Sequence, residues 1–403
     1  MKFIADIFDK KRPDFEKGGK LERFYPLFEA QETFLFVTRD KTSSGSHIRD
    51  YMDTKRLMSF VIIALVPCLL FGIYNAGYQH HQAAGTYDSA SIVDIIVTGA
   101  TWVLPIVFVS YAVGGTCEMI FAVVRKHEIN EGFLVTGMLY PLTLPPTLDL
   151  WKVAVGVCFG VVIGKEVFGG TGMNIFNPAL TARAFIFFAY AGDMSGDKPW
   201  IIDAPNFLAD KTENLVVTAT PLGAALAHSA NPLAETPIAE AMSANYSAMD
   251  MFLGLIPGSI GESSTLLCIL GAGLLIATGV GSWRIMLSTF LGCAVTAAIM
   301  NLVADSPSST LAIPVHYHFI IGSFAFGLVY MTTDPVSAAQ TNLGKWIYGF
   351  FIGVVVVIIR CVNPAYPEGM MLAILLMNAF ASLIDYYVVQ NNVGRRMSRV
   401  ATA

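Results

Sequence analysis

Apolar residues cluster in long continuous runs near positions 57–77, 94–114, 132–148, 151–165, 176–191, 264–281, 285–304, 313–331, 345–360 and 370–389. The hydrocarbon core of a bilayer is about 30 Å thick and takes about 20 helical residues to cross. Each run therefore reads as a candidate membrane helix, several of them short. The runs do not alternate apolar with polar positions, so they predict helices rather than a barrel. The expected fold is an all-α polytopic membrane protein with about ten transmembrane helices.

The polar positions between the runs predict an orientation. Residues 1–56 hold twelve of the twenty-five Lys and Arg, and the tail adds Arg395, Arg396 and Arg399. Positive charge stays inside, so both termini are expected to be cytoplasmic, which requires an even number of spans. Arg125, Lys126, Lys165 and Arg284 then fall inside as well, whereas Lys152 and Arg360 fall near outer ends against the rule. The acidic insertion 192–262 is expected outside. It divides the runs five and five, which predicts two inverted five-helix repeats. Asn177-Pro178-Ala179 and Asn363-Pro364-Ala365 are an internal echo of that arrangement. The expected organisation is a cytoplasmic N-terminal arm (1–56), membrane repeat 1 (57–191), an external loop (192–262), membrane repeat 2 (263–389) and a cytoplasmic tail (390–403). The start is too polar for a secretory signal and is broken by Pro13 and Gly18-Gly19. Its apolar residues 3–9 suit a membrane surface, a partner or a solvated arm alike.

Composition supports this picture. Residues are 54% hydrophobic and only 14% charged, against roughly 25% charged in an ordinary soluble domain. That argues against a disordered or soluble chain. A net charge of −5 makes no case for nucleic acid. The six cysteines are single, with no CxxC, so neither zinc nor a disulfide framework is indicated.

Candidate chemistry comes from polar groups inside apolar runs, where an unpaired charge is costly. Glu118, Asp334 and Asp385 qualify. Their hard oxygens suit Na⁺, a proton relay, or a hydrogen bond to a buried helix end. Asp334 before Pro335 equally reads as the cap of a following helix. Pro141-Leu142-Thr143-Leu144-Pro145-Pro146 reads as a broken helix or a re-entrant turn. The run Gly169-Gly170-Thr171-Gly172-Met173-Asn174-Ile175-Phe176-Asn177-Pro178 offers close backbone approach. Asn174 and Asn177 would share a helical face there, with amides suited to the edge of a flat heterocycle such as isoalloxazine. Asn177 as N-cap with Pro178 at the first helical position explains the same residues without a ligand. His316 and His318 point apart on a helix, and His80-His81 reads as a solvated external loop. No P-loop or strand-led GxGxxG occurs, so any NADH is held by another subunit.

Longer motifs carry a resemblance. Gly114-Gly115-Thr116-Cys117-Glu118, His127-Glu128-Ile129-Asn130-Glu131-Gly132-Phe133, Lys165-Glu166-Val167-Phe168-Gly169-Gly170-Thr171-Gly172, Thr333-Asp334-Pro335-Val336-Ser337-Ala338 and Asn363-Pro364-Ala365-Tyr366-Pro367-Glu368-Gly369-Met370-Met371 resemble the B-subunit family of the Na⁺-translocating NADH:quinone oxidoreductases. The likeness covers nearly the whole chain, and the D subunit of the Rnf complex is a related alternative. The resemblance implies a fold similar to urea and ammonium transporters. It also implies a place in the bacterial inner membrane beside five other subunits, which carry NADH, FAD, iron–sulfur and FMN sites. Electrons would pass from covalent FMN through riboflavin to a quinone as Na⁺ is exported. The FMN would be joined by a flavin transferase as a phosphoester to a threonine. Here the matching run is Val217-Thr218-Ala219-Thr220-Pro221-Leu222, which makes Thr220 the candidate and Thr218 its neighbour. Val217 and Thr218 stand where the family has Ser and Gly, and Asn214 where it prefers Asp. By the same resemblance Asn174 and Asn177 bind riboflavin, Gly114, Gly115 and Glu118 face the quinone, and Glu118, Asp334 and Asp385 lie on the Na⁺ path. A urea-transporter-like solute channel is the alternative that uses the same helices without redox chemistry.

Overall fold

The computed structural model describes residues 2–16, 18–36, 42–48, 53–126, 132–194, 200–203, 220–230, 236–243, 246–363 and 366–401. No strand occurs among them. Two arm helices, α1 (Lys2–Phe15) and α2 (Tyr25–Leu35), come first. Phe15 stacks on Phe28 with ring centroids 4.7 Å apart, and Arg12 pairs with Glu32. The arm thus has an apolar contact of its own.

The first half of the bundle is α3 (Thr54–Ala84), α4 (Ile92–Arg125), α5 (Gly132–Leu142), α6 (Leu150–Val162), α7 (Pro178–Ala189) and the single turn α8 (Ala191–Met194). Short helices α9 (Pro221–Ala230), α10 (Ile238–Ser243) and α11 (Ala248–Leu253) follow. The second half holds α12 (Thr265–Ala277), α13 (Trp283–Val303), the short pieces α14 (Tyr317–Ile320) and α15 (Phe324–Phe326), then α16 (Asn342–Val362) and α17 (Met370–Ala401). Among the described residues, five helices are long and apolar enough to cross a membrane: α3, α4, α13, α16 and α17. Helices α5, α7 and α12 are apolar but shorter.

Caps explain several boundaries. Ser91 and Asp94 form a reciprocal capping box at the start of α4, and Ser247 with Asp250 does the same for α11. Asn177 accepts from the backbone N–H groups of Ala179 and Leu180, with Pro178 next, as the capping alternative expects. Helix α3 outruns its apolar stretch and ends at Gly85 in the left-handed region (φ 68°). His80 and His81 therefore sit on its last turn, not in a loop, where His81 Nδ1 lies 2.9 Å from Thr86 Oγ1.

Close helix crossings depend on glycine. A Cβ on Gly99 of α4 would fall onto the Ile73 carbonyl of α3, and one on Gly77 onto the Ile95 carbonyl. Gly292 of α13 meets Phe350 of α16 in the same way, and Gly353 meets Thr289. Small residues let backbones approach where hydrocarbon supplies no hydrophobic drive.

One further expectation changes. The run 313–331 is not one helix. Gly322 (φ 64°) and Ser323 (φ 62°) both adopt left-handed backbone, and Gly327–Met331 continues as a π-turn. The break at 141–146 is filled from outside: Ile260 N–H donates to Leu144 O (3.0 Å) and Gly261 N–H to Leu142 O (2.8 Å). The last stretch of 192–262 is consequently packed into the core, with Ile260 only 3% accessible.

Candidate functional site

Two cavities lie at opposite ends of α12, whose thirteen residues span about 20 Å at 1.5 Å per residue. The first is lined by Leu275, Val280 and Gly281 at its C-terminal end, the second by Ser259, Glu262 and Ser263 at its N-terminal end.

The first cavity gathers Lys165, Thr171, Asn174, Asn177 and Asp334. Three positive-φ glycines, Gly169, Gly170 and Gly172, fold the preceding segment into a loop rather than a helix. Asn174 therefore reaches the cavity from that loop, and Asn177 from the cap of α7, without the shared helical face. Asn174 Nδ2 donates to Phe176 O (2.9 Å), and Asn177 Oδ1 takes the two capping N–H groups. These bonds leave Asn174 Oδ1 as an acceptor and Asn177 Nδ2 as a donor. The Thr171 hydroxyl is buried without a partner among the described residues. Buried polar groups are nearly always bonded, so this wall suits a ligand with both a donor and acceptors on one flat edge. Lys165, the cation among the described lining residues, is matched by Glu118, which favours a neutral ligand over a phosphorylated one.

Glu118 is 3% exposed on α4 and pairs with Lys165, itself 2% exposed. Lys165 Nζ also lies 3.7 Å from Glu166 Oε1, while Arg125 Nη1 holds Glu166 Oε2 at 3.2 Å. Two cations and two carboxylates thus alternate across the start of the Gly-rich loop. A Cβ on Gly114 would fall 2.5 Å from the Phe133 ring, and one on Gly115 would lie 3.5 Å from it.

Asp334 caps its own turn and no helix. It accepts from Val336 N–H, Ser337 N–H and the Ser337 hydroxyl, and the next helix starts only at Asn342. Asp385 stands apart from the cavity. It accepts from Gln340 N–H (2.6 Å), Thr341 N–H (3.0 Å) and the Thr341 hydroxyl, and so ties α17 to the start of α16. That is the helix-end alternative named for it. Asp385→Asn is expected to keep most of this cap. Asp385→Leu is expected to cost about 1–3 kcal/mol through unsatisfied donors, as read by thermal unfolding in detergent.

The second cavity contains Thr220, 8% exposed, with Trp200, Ser263, Ser323, Glu262 and Glu368. Thr220 Oγ1 accepts from Gly223 N–H (3.2 Å) at the head of α9. Thr218, Val217 and Asn214 lie outside the described residues. Trp200 Nε1, Ser263 Oγ and Glu368 Oε1 are buried without partners among the described residues. In the connector between α16 and α17, burial pushes the Glu368 carboxyl above the usual carboxylate range while Arg183 draws it back.

Arg183 and Arg360 brace this end. Arg183 Nη1 donates to Glu262 Oε1 (3.1 Å), and Ser323 Oγ donates to Glu262 Oε2 (2.6 Å). Arg360 donates to four carbonyls, those of Glu368, His318, Ile321 and Gly322. Reading by sequence missed this brace. Arg183 lies inside the apolar run 176–191, where the cost of a buried charge was signal enough. Arg360 entered only as an exception to the charge rule.

A family model described as "NQR2, RnfD, RnfE family" matches residues 41–394. The chain belongs to that family. Three curated relatives are each named as the B subunit of a Na(+)-translocating NADH-quinone reductase. The one from Chromohalobacter salexigens is 46% identical over 417 residues, covering 99% of this chain and 97% of the relative. Those from Stutzerimonas stutzeri and Azotobacter vinelandii are each 45% identical, covering 98% of this chain and 99% of theirs. Within the NQR2, RnfD, RnfE family, the matched span takes in both cavities from Leu57 to Glu368.

Proposed function

We propose that the chain is the flavin-carrying membrane subunit of a Na⁺-exporting NADH:quinone oxidoreductase. The observation that carries this reading is the pair of cavities at the two ends of α12, one reached by Thr220 and the other by Asn174 and Asn177. Two flavins held at opposite ends of one short helix would give electrons a path through the bundle. The near full-length relatives supply the substrate classes and the partner subunits.

Thr220 suits a phosphoester. Its oxygen serves α9 as an acceptor, a role that survives loss of the hydroxyl hydrogen. The N-terminus of a helix also favours the negative charge of a phosphate. Trp200 and Ser263 would donate to flavin oxygens, and Glu368 would accept a ring N–H. Flavin supplies the electron chemistry when bound, and the protein sets its orientation and access. In the other cavity Asn174 and Asn177 would hold the neutral riboflavin edge.

The remaining assignments follow the same reading. A quinone head near Gly114, Gly115 and Glu118 would have to displace the Phe133 ring or stack against it. Glu118 and Asp334 are proposed for the Na⁺ path at the riboflavin end, and Asp385 acts there through the placement of α16. The five-plus-five inverted repeat is supported by parallel packing: α4 packs on α6 and α6 on α7, as α13 packs on α16 and α16 on α17. The inner membrane, cytoplasmic termini and a flavin transferase acting on the Thr220 side complete the proposal.

The test is a denaturing gel viewed under ultraviolet light, with the chain expressed beside its flavin transferase. A fluorescent band is expected for the natural chain and none for Thr220→Val. An unchanged band in Thr220→Val moves the attachment elsewhere.

A further inference from the structure

The alternating charges at the first cavity do more than fill space. Lys165 and Asp334 are the charged residues among the described ones lining it. Asp334 is occupied by the three donors of its own turn. Among the described residues Arg125 and Lys165 both face Glu166, and Lys165 pairs most closely with Glu118. Both members of that pair are at least 97% buried, on separate elements: Glu118 on α4, Lys165 just after α6. Water screens such a pair little, so its balance is felt across the cavity.

We propose that Lys165 sets the reduction potential of the flavin in the first cavity, with Glu118 as its counterweight. The inference rests on the riboflavin reading above. An isoalloxazine whose reduction brings in one more electron than protons gains one negative charge. A fixed ammonium beside the ring stabilises that charge and raises the potential. Glu118 opposes it. The pair is therefore an electrostatic setting whose two halves act with opposite sign. It also links the flavin to the carboxylate proposed for Na⁺ handling: whatever neutralises Glu118 strengthens the pull of Lys165 on reduced flavin.

The opposite signs separate this role from a structural one. Spectroelectrochemical titration of the purified whole complex reads the riboflavin potential, and extraction of non-covalent flavin measures its content. Lys165→Met is expected to lower the reduced-to-oxidised ratio at fixed potential about tenfold, which is about 30 mV for a two-electron couple. Lys165→Arg keeps the charge and is expected to stay near the natural complex. Glu118→Gln is expected to shift the ratio the other way, while the covalent flavin titrates unchanged in all variants. Shifts of the same sign in Lys165→Met and Glu118→Gln, or no shift in a complex that retains riboflavin, overturn the proposal. If Lys165→Met loses its flavin, Glu118→Gln decides alone: an unshifted or lowered potential overturns it. A natural complex with no extractable riboflavin refutes the riboflavin reading beneath the proposal, and extraction tells that failure apart.

Discussion

Glu262→Ala is expected to destabilise the bundle by about 3–5 kcal/mol, because it strands a buried guanidinium. Glu262 is 7% exposed and Arg183 3%. One carboxylate oxygen takes Arg183 from α7 and the other takes the Ser323 hydroxyl from the broken segment, so a single side chain joins three parts of the fold. Glu262→Gln keeps the acceptor for Ser323 but not the charge, and is expected to fall between. The double variant Arg183→Met with Glu262→Met removes both charges. It is expected to be more stable than either single change, since no ion is left unpaired. Thermal unfolding of the detergent-purified complex orders the natural protein, Glu262→Ala, Glu262→Gln, the two single Met variants and the double variant. A double variant no better than the singles would show that packing, and not charge pairing, decides this contact.

Arg360→Met is expected to cost at least about 3 kcal/mol by leaving buried carbonyls unsatisfied. The guanidinium holds His318 O at 2.7 Å, Ile321 O and Gly322 O at 2.9 Å and Glu368 O at 3.0 Å. Three of these belong to the segment where two successive residues adopt left-handed backbone and ordinary helix bonds lapse. Leu222, next to the proposed flavin anchor, packs against Gly322 there. Hydrogen exchange should therefore speed up across 317–331 and in α9, with less covalent flavin joined to Thr220. Arg360→Lys, with three donors instead of five, is expected to be intermediate. Protection of 317–331 equal to that of the natural chain would remove Arg360 as the organiser of this segment.

The contrast between these residues and the apolar runs explains what was legible beforehand. Helices α3, α4, α13, α16 and α17 follow from uninterrupted apolar stretches, because length and composition alone decide membrane crossing. The cap at Asn177-Pro178 was legible for a similar reason: two adjacent residues state the whole local geometry. The break after Ile320 was not, since Ile321, Phe324, Phe326 and Val329 continue the apolar pattern while the backbone turns at Gly322 and Ser323. Glu262 was hidden in an acidic stretch, although it is buried while Asp203, Glu240 and Asp250 are not. Lys165 counted only toward orientation, because its partner Glu118 lies 47 positions away in sequence. Asn174 and Asn177 carried their candidacy as a pair, and Asp334 apart from them. Only the packing of α5, α7, α12 and the 330–336 stretch shows that they line one cavity.

The central claim is that a flavin is anchored through the Thr220 hydroxyl at the mouth of the second cavity. Peptide mass mapping of the purified chain, made in cells that supply the transferase, tests it most directly. The account predicts that the peptide containing Thr220 carries one FMN less one water, with fragmentation placing the addition on that side chain. An unmodified Thr220 peptide from a colourless chain would contradict it and leave the helical bundle as a pathway for solute.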